Sequence, residues 1–193
     1  MEIFLSICLG LGLAAACGFR VFVPLLALSV AANSGHVTLA PAFQWIASDP
    51  ALIMFSIATA LEIAGYYIPW VDHFLDTVAT PAAVVAGTII TASVLTHISP
   101  MMQWTLALIA GGGIAGVIQA GTVAARAVST TTSVGVANPL VASAELGLSG
   151  VLSFLSLVVP VAAVLLIIGI LGFGSHLIFK RVTRLRRIPP TLA

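Results

Sequence analysis

Glu62, Tyr66, Pro69, Asp72, His73 and Asp76 recur at spacings of three and four residues, which on one continuous helix lines them along a single face. Such a stripe leads from an apolar interior to a polar surface. A carboxylate at its deep end, as Glu62 would be, suits a proton or cation site, because an ionised group without water needs a compensating charge. Asp72, His73 and Asp76 also carry donors for a divalent cation. That pattern has low specificity, and a solvated turn anchored by Trp70 accounts for the three residues as well. Arg20, Arg126 and Glu145 are the other charges set in or beside apolar runs. The two arginines either snorkel to an interface or pair with Glu62 and Glu145, where they would also hold an anionic group. The candidate substrate- or ion-binding residues are therefore Arg20, Glu62, Asp72, Asp76, Arg126 and Glu145. No catalytic residue and no metal ligand is assigned.

The rest of the chain makes these charges informative. Of 193 residues, 60% are hydrophobic and only 7% are charged, where a soluble domain would carry about 25%. The mean hydropathy is +1.19. So much apolar side chain cannot be hidden in one interior, so lipid must be the solvent for most of the exterior. A charge inside such a span costs roughly 2.5–3.5 kcal/mol on insertion scales. Lys180, Arg181, Arg184, Arg186 and Arg187 gather after the last apolar run, which fixes that end in the cytoplasm by the positive-inside rule and offers contacts to lipid headgroups. The lipid bilayer is the expected partner and nucleic acid is not. The apolar run from Leu5 lacks a basic segment before it, so it reads as a retained membrane helix and not a signal peptide.

The elements that must position the charges are helices. Asp49-Pro50, Thr80-Pro81, Ser99-Pro100 and Asn138-Pro139 each pair a capping residue with proline at a helix start. The first span covers about residues 3–31 and is interrupted by Gly18-Phe19-Arg20 and Pro24. The second begins at Pro50 and kinks at Pro69. The third covers about 81–97 and the fourth about 100–125. Polar connections fall at 33–49, 70–80 and 126–138. The stretch from Pro139 to Phe179 would be about 61 Å long as one helix. The preferred division breaks it at Gly147 to Gly150, leaving one span over 151–179. A turn at Pro160 is the alternative, disfavoured because a hairpin without polar residues would strand backbone groups in lipid. The fold class is all-α, a polytopic transmembrane helix bundle of about five spans with the N-terminus outside. Six spans, with both ends inside, is the alternative.

One integral membrane domain covers 1–188, and 189–193 is a short tail. Within it, a small-residue helix, an arginine, a polar loop, a capped proline and a second proline occur twice. Pro50 to Pro69 spans 19 residues and Pro139 to Pro160 spans 21. These half-repeats, 1–80 and 100–180, would be inverted in the membrane, as in many transporters. Gly112 and Gly116 form a small-residue face suited to close helix packing, within the chain or in a homo-oligomer. Nucleotide, zinc-protease and serine-hydrolase motifs are missing, so no cofactor is expected and an enzyme is the less favoured class.

The segment from Leu13-Ala14-Ala15-Ala16-Cys17-Gly18-Phe19-Arg20 to Pro24-Leu25-Leu26 carries a resemblance. So do Glu62 to Pro69, Trp70-Val71-Asp72-His73-Phe74-Leu75-Asp76-Thr77, Pro81-Ala82-Ala83 and Asn138-Pro139. Together they resemble a family of small bacterial integral membrane proteins catalogued as a domain of unknown function. The resemblance implies a polytopic inner-membrane protein and brings no activity. From the residues, the leading expectation is a transporter or channel-like protein moving a small solute, an ion or a lipid-linked anion past the buried charges. The alternatives are a structural or partner-binding membrane subunit, and a membrane enzyme acting on lipid headgroups through Asp72, His73 and Asp76.

Overall fold

The computed structural model describes residues 2–68, 71–133 and 136–185, with side chains for all of these except 72, 73, 177–179 and 181–185. Pro69, Trp70, Arg186 and Arg187 lie outside the described residues, as do the side chains of Asp72 and His73. The described chain is all helical. In order come α1 (Glu2–Cys17), α2 (Phe22–Asn33), a short 3-10 helix (Pro41–Ala47), α3 (Asp49–Gly65), α4 (Val71–Val94), α5 (Pro100–Leu106), a π-helical segment (Ala107–Gly112), α6 (Gly113–Ser133), α7 (Asn138–Val158) and α8 (Pro160–Leu185). From α5 to α6 the helix is continuous over 34 residues.

Burial is inverted relative to a soluble protein. Leu61, Met101, Ile109, Leu140, Phe154 and Phe173 are exposed, whereas Arg20, Glu62, Arg126 and Glu145 are buried. Among the described residues, three helices are long and apolar enough to cross a membrane, and a fourth crossing arises if the 3-10 helix and α3, bent by 64°, form one span. Helices α1 and α2, and α8 over Pro160–His176, are shorter apolar elements. The protein is a helical membrane bundle.

Small residues bring the helices together. A Cβ on Gly87 of α4 would lie 2.9 Å from the Gly111 carbonyl oxygen and 2.6 Å from the Ala115 Cβ, so this crossing needs glycine. Gly112 meets Thr88, and Gly116 meets Val84. The small-residue face foreseen around Gly112 and Gly116 is thus filled by α4 of the same chain. One core joins α1, α2, the 3-10 helix and α4. A second joins Ala15, Ala16 and Phe19 to Ile118, Leu152 and Ile167.

The proline signals hold in part. Ser99 and Pro100 start α5 as expected, with the Ser99 hydroxyl accepting from the Met102 amide at 3.4 Å. At α3 the cap is Ser48, one residue before the expected Asp49. Thr80-Pro81 is no helix start: α4 begins at Val71 and runs through Pro81. The expected polar connection at 70–80 is therefore largely helix. The Thr80 hydroxyl donates to the Asp76 carbonyl at 3.2 Å, and membrane helices tolerate proline where such side chains support the turn.

The connection expected at 126–138 is also mostly helix, since α6 continues to Ser133. Thr131, Thr132 and Ser133 donate their hydroxyls to the carbonyls of Ala127, Val128 and Ser129, so the polar run satisfies itself within the helix.

The preferred break at Gly147 to Gly150 does not occur: α7 passes through it and the chain turns at Val159, just before Pro160. The Val159 amide donates to Leu155 at 2.7 Å, and its carbonyl accepts from Ala162 at 2.9 Å and Ala163 at 3.3 Å. Proline brings no N–H of its own. The chain therefore turns here with both backbone groups of Val159 bonded. Ser156 and Ala163, on either side of it, both lie beside Gly12 of α1.

Candidate functional site

The site is built around the break between α1 and α2. Gly18 allows α1 to end against α6, because a Cβ there would stand 2.6 Å from the Ala115 carbonyl oxygen. Helix α2 then starts with no side-chain cap from its own preceding residue. Its orphan amides are satisfied from α3 instead. The Val21 N–H donates to Glu62 Oε1 at 2.7 Å and the Phe22 N–H to Oε2 at 3.0 Å. Glu62 thus caps a helix that begins inside the bundle, where the positive end of the helix dipole favours a carboxylate.

Arg20 projects from the break and is 1% exposed. Its Nη2 donates to the Ala142 carbonyl at 2.8 Å and lies 3.7 Å from Glu145 Oε2. Arg126 of α6 is bidentate on the same carboxylate. Its Nε donates to Glu145 Oε1 at 3.1 Å and its Nη2 to Oε2. Arg126 Nη1 is 3.6 Å from Asp76 Oδ1 of α4. Tyr66, just past the end of α3, lies beneath both cations: the guanidinium carbon of Arg20 is 3.7 Å and that of Arg126 4.1 Å from its ring centroid. The ring face offsets part of the repulsion between them.

Five of the six candidate residues therefore gather around Tyr66: Arg20, Arg126 and Glu145 are buried together, Asp76 stands partly exposed beside Arg126, and the buried Glu62 caps α2 at the amides following Arg20. The side chain of Asp72 is outside the description. The polar stripe does not form on one helix, because α3 ends at Gly65 and α4 starts at Val71; folding brings Glu62, Tyr66 and Asp76 together across that interruption. Nor do Arg20 and Arg126 reach the surface of the protein. Both are drawn into the bundle, and Glu145 is what they share. Among the described residues, Nε and Nη1 of Arg20 and Nη1 of Arg126 have no hydrogen-bond acceptor in reach. No group of three or more His, Cys, Asp or Glu among them is placed to hold a metal ion.

Two features escaped the sequence reading. Tyr66 is the surface on which the cations rest, where only its place in a stripe had been noted. On α7, Asn138, Glu145, Ser149, Ser153 and Ser156 are buried along one face. The Ser149 hydroxyl donates to the Ala16 carbonyl at 3.0 Å, tying α7 to the last turn of α1. The signal was the spacing of three, four and seven residues, hidden by placing a break at 147–150.

The network lies within a stretch, residues 7–180, that matches a family described as a domain of unknown function (DUF4126). The chain belongs to the DUF4126 family. The match runs from α1 into α8 and includes every residue of the network. Neither the curated proteins nor the solved structures contain a match to this DUF4126 protein.

Proposed function

We propose that this DUF4126 protein is a transporter or channel-like protein of the bacterial inner membrane, moving a small solute, an ion or a lipid-linked anion, with its C-terminus in the cytoplasm. The observation that carries the reading is the network itself. Buried charge is costly in a membrane protein and most often marks a pathway, and here Nε and Nη1 of the buried Arg20 have no hydrogen-bond partner among the described residues. The network also joins the two halves of the chain. Arg20, Glu62, Tyr66 and Asp76 come from the first half, and Arg126 and Glu145 from the second.

The first half supplies an interrupted helix, α1 and α2, followed by α3 and α4; the second supplies a helix that runs unbroken from α5 to α6, followed by α7 and α8. An odd number of crossings per half makes the second an inverted copy, with six crossings in all and both termini on one side. An interrupted helix with a charged group at its break, as at Arg20 between α1 and α2, is a feature of many secondary transporters.

A structural or partner-binding membrane subunit is the second reading. It is favoured by the way Glu145 is held by Arg126 and Arg20 while Glu62 is held by two amides. Ion, proton and anion flux in proteoliposomes, compared between the unaltered protein and Glu62→Gln, separates the two. Flux that the variant loses while still folded supports transport. If neither protein exceeds empty liposomes, in either gradient direction, the structural reading takes its place.

A further inference from the structure

At one end of the bundle, exposed aromatic side chains meet exposed polar ones. The 3-10 helix buries Phe43 and Ile46 and leaves Trp45 48% exposed. It is bent by 64° from α3, so it does not prolong that helix along its axis. The Ser29 hydroxyl donates to the Ile46 carbonyl at 2.6 Å and the Ala40 N–H to the Ser93 carbonyl at 2.8 Å, which fixes the short helix against the ends of α2 and α4. The Phe43 ring lies 5.8 Å from that of Trp104, bringing the start of α5 to the same level. Trp104 is 50% exposed, beside the exposed Met101 and Met102. The segments that lead into these aromatics carry exposed polar residues, Ser34 and His36 before the 3-10 helix and His97 and Ser99 before α5.

Tryptophan fits one layer of a membrane best. Its ring body prefers hydrocarbon and its N–H needs an acceptor, and both are met at the headgroup boundary. A short helix with one buried apolar face and an exposed indole is suited to lie along that boundary.

One helix sets the distance from this end to the charge network. Trp104 and Arg126 belong to the helix that is continuous from Pro100 to Ser133 and stand 22 residues apart on it, about 33 Å at 1.5 Å per residue. A hydrocarbon core is about 30 Å thick. At the Arg126 end, Tyr67, Thr131, Thr132 and Ser143 are exposed, so polar residues return where a second boundary is due. We infer that the end bearing Trp45 and Trp104 is seated in the headgroup layer of one leaflet, with the 3-10 helix lying along the membrane surface, and that Arg20, Arg126 and Glu145 stand near the headgroup layer of the other. A solute crossing the membrane would meet the network at one mouth of its path and not halfway. The placement does not depend on whether the protein transports.

Tryptophan fluorescence of the full-length protein in phosphatidylcholine vesicles tests this, with phenylalanine substitutions leaving one tryptophan at a time. Bromine on the lipid chains quenches a nearby indole, and it is placed either just below the headgroup or near the chain ends. Trp45 and Trp104 should each lose more intensity to the shallow bromine. Val117→Trp and Val128→Trp, each in a chain whose own tryptophans are phenylalanine, extend the series along α6 at exposed positions. The first should lose more to the deep bromine, and the second, beyond Arg126, more to the shallow. Should the phenylalanine background fail to fold, nitroxides on Ala42→Cys, Val117→Cys and Val128→Cys read the same depths from collisions with oxygen and with a water-soluble nickel chelate, since Cys8 and Cys17 are buried. Stronger quenching of Trp45 by the deep bromine would put the 3-10 helix within a span, and quenching by aqueous iodide alone would put it in water; either result overturns the proposal. So would a Val128→Trp profile as deep as that of Val117→Trp, which would place the network in the middle of the membrane.

Discussion

Removing Glu145 leaves two buried guanidinium groups without their shared carboxylate. Loss of one partner from a buried ion pair costs about 3–5 kcal/mol, so Glu145→Gln should be among the most destabilising single changes, as read by denaturant unfolding in detergent micelles. Because Arg126 acts through the same carboxylate, Arg126→Met should cost much less in the Glu145→Gln background than alone. Additivity within about 0.5 kcal/mol would show that the network is not coupled. Glu62 makes a different demand. Glutamine in its place offers a carbonyl to one of the two amides and an NH2 group to the other. About 1–3 kcal/mol follows from an orphaned buried donor, and hydrogen exchange should quicken at Val21 and Phe22; unchanged exchange at both amides would argue against the cap. The cost of these charges was legible in the sequence, because ionisable residues in apolar runs need partners. Pairing of the arginines with Glu62 and Glu145 was one of two readings the sequence left open; that both arginines share Glu145 while Glu62 caps α2 was not legible, because Arg20 and Glu145 are far apart along the chain.

At the scale of helices, glycines divide into those pressed against a neighbour and those facing open space. Gly87→Ala would push a methyl group against Ala115 and Gly111, at a cost of about 1–3 kcal/mol for overpacking. Gly147→Ala in α7 meets nothing within 4 Å and should be neutral or stabilising by up to about 1 kcal/mol. Thermal unfolding of the two variants side by side checks this, and equal effects would mean that the α4 crossing is looser than drawn. The two glycines look alike in sequence. Proline and the hydroxyl residues misled for a related reason. Thr80-Pro81 has the composition of a helix start and the run from Ser129 that of a loop, yet both are helical, because each hydroxyl can bond back to its own helix when no other partner competes.

For the molecule as a whole, the turn at Val159 makes a topological prediction. With α7 crossing the membrane, cysteines at Val136 and Val159 should be labelled by impermeant maleimide from opposite faces of the membrane. Both native cysteines, Cys8 and Cys17, are buried free thiols and should add little background. If instead the chain broke at Gly147 to Gly150 and crossed once over 151–179, Val159 would be mid-span and unreactive. The environment and the class of fold were determined by the sequence alone: the fraction of apolar side chains leaves lipid as the only solvent, and lipid permits helices because they satisfy their own backbone. The interruption of the first span at Gly18 to Arg20 was likewise set by local chemistry, a glycine and a proline flanking a charge. Tertiary structure alone decided which charges meet, which glycines are filled and where the last long stretch turns. Those outcomes depend on which surfaces come into contact, and contacts between residues far apart in the chain leave no local trace in its order.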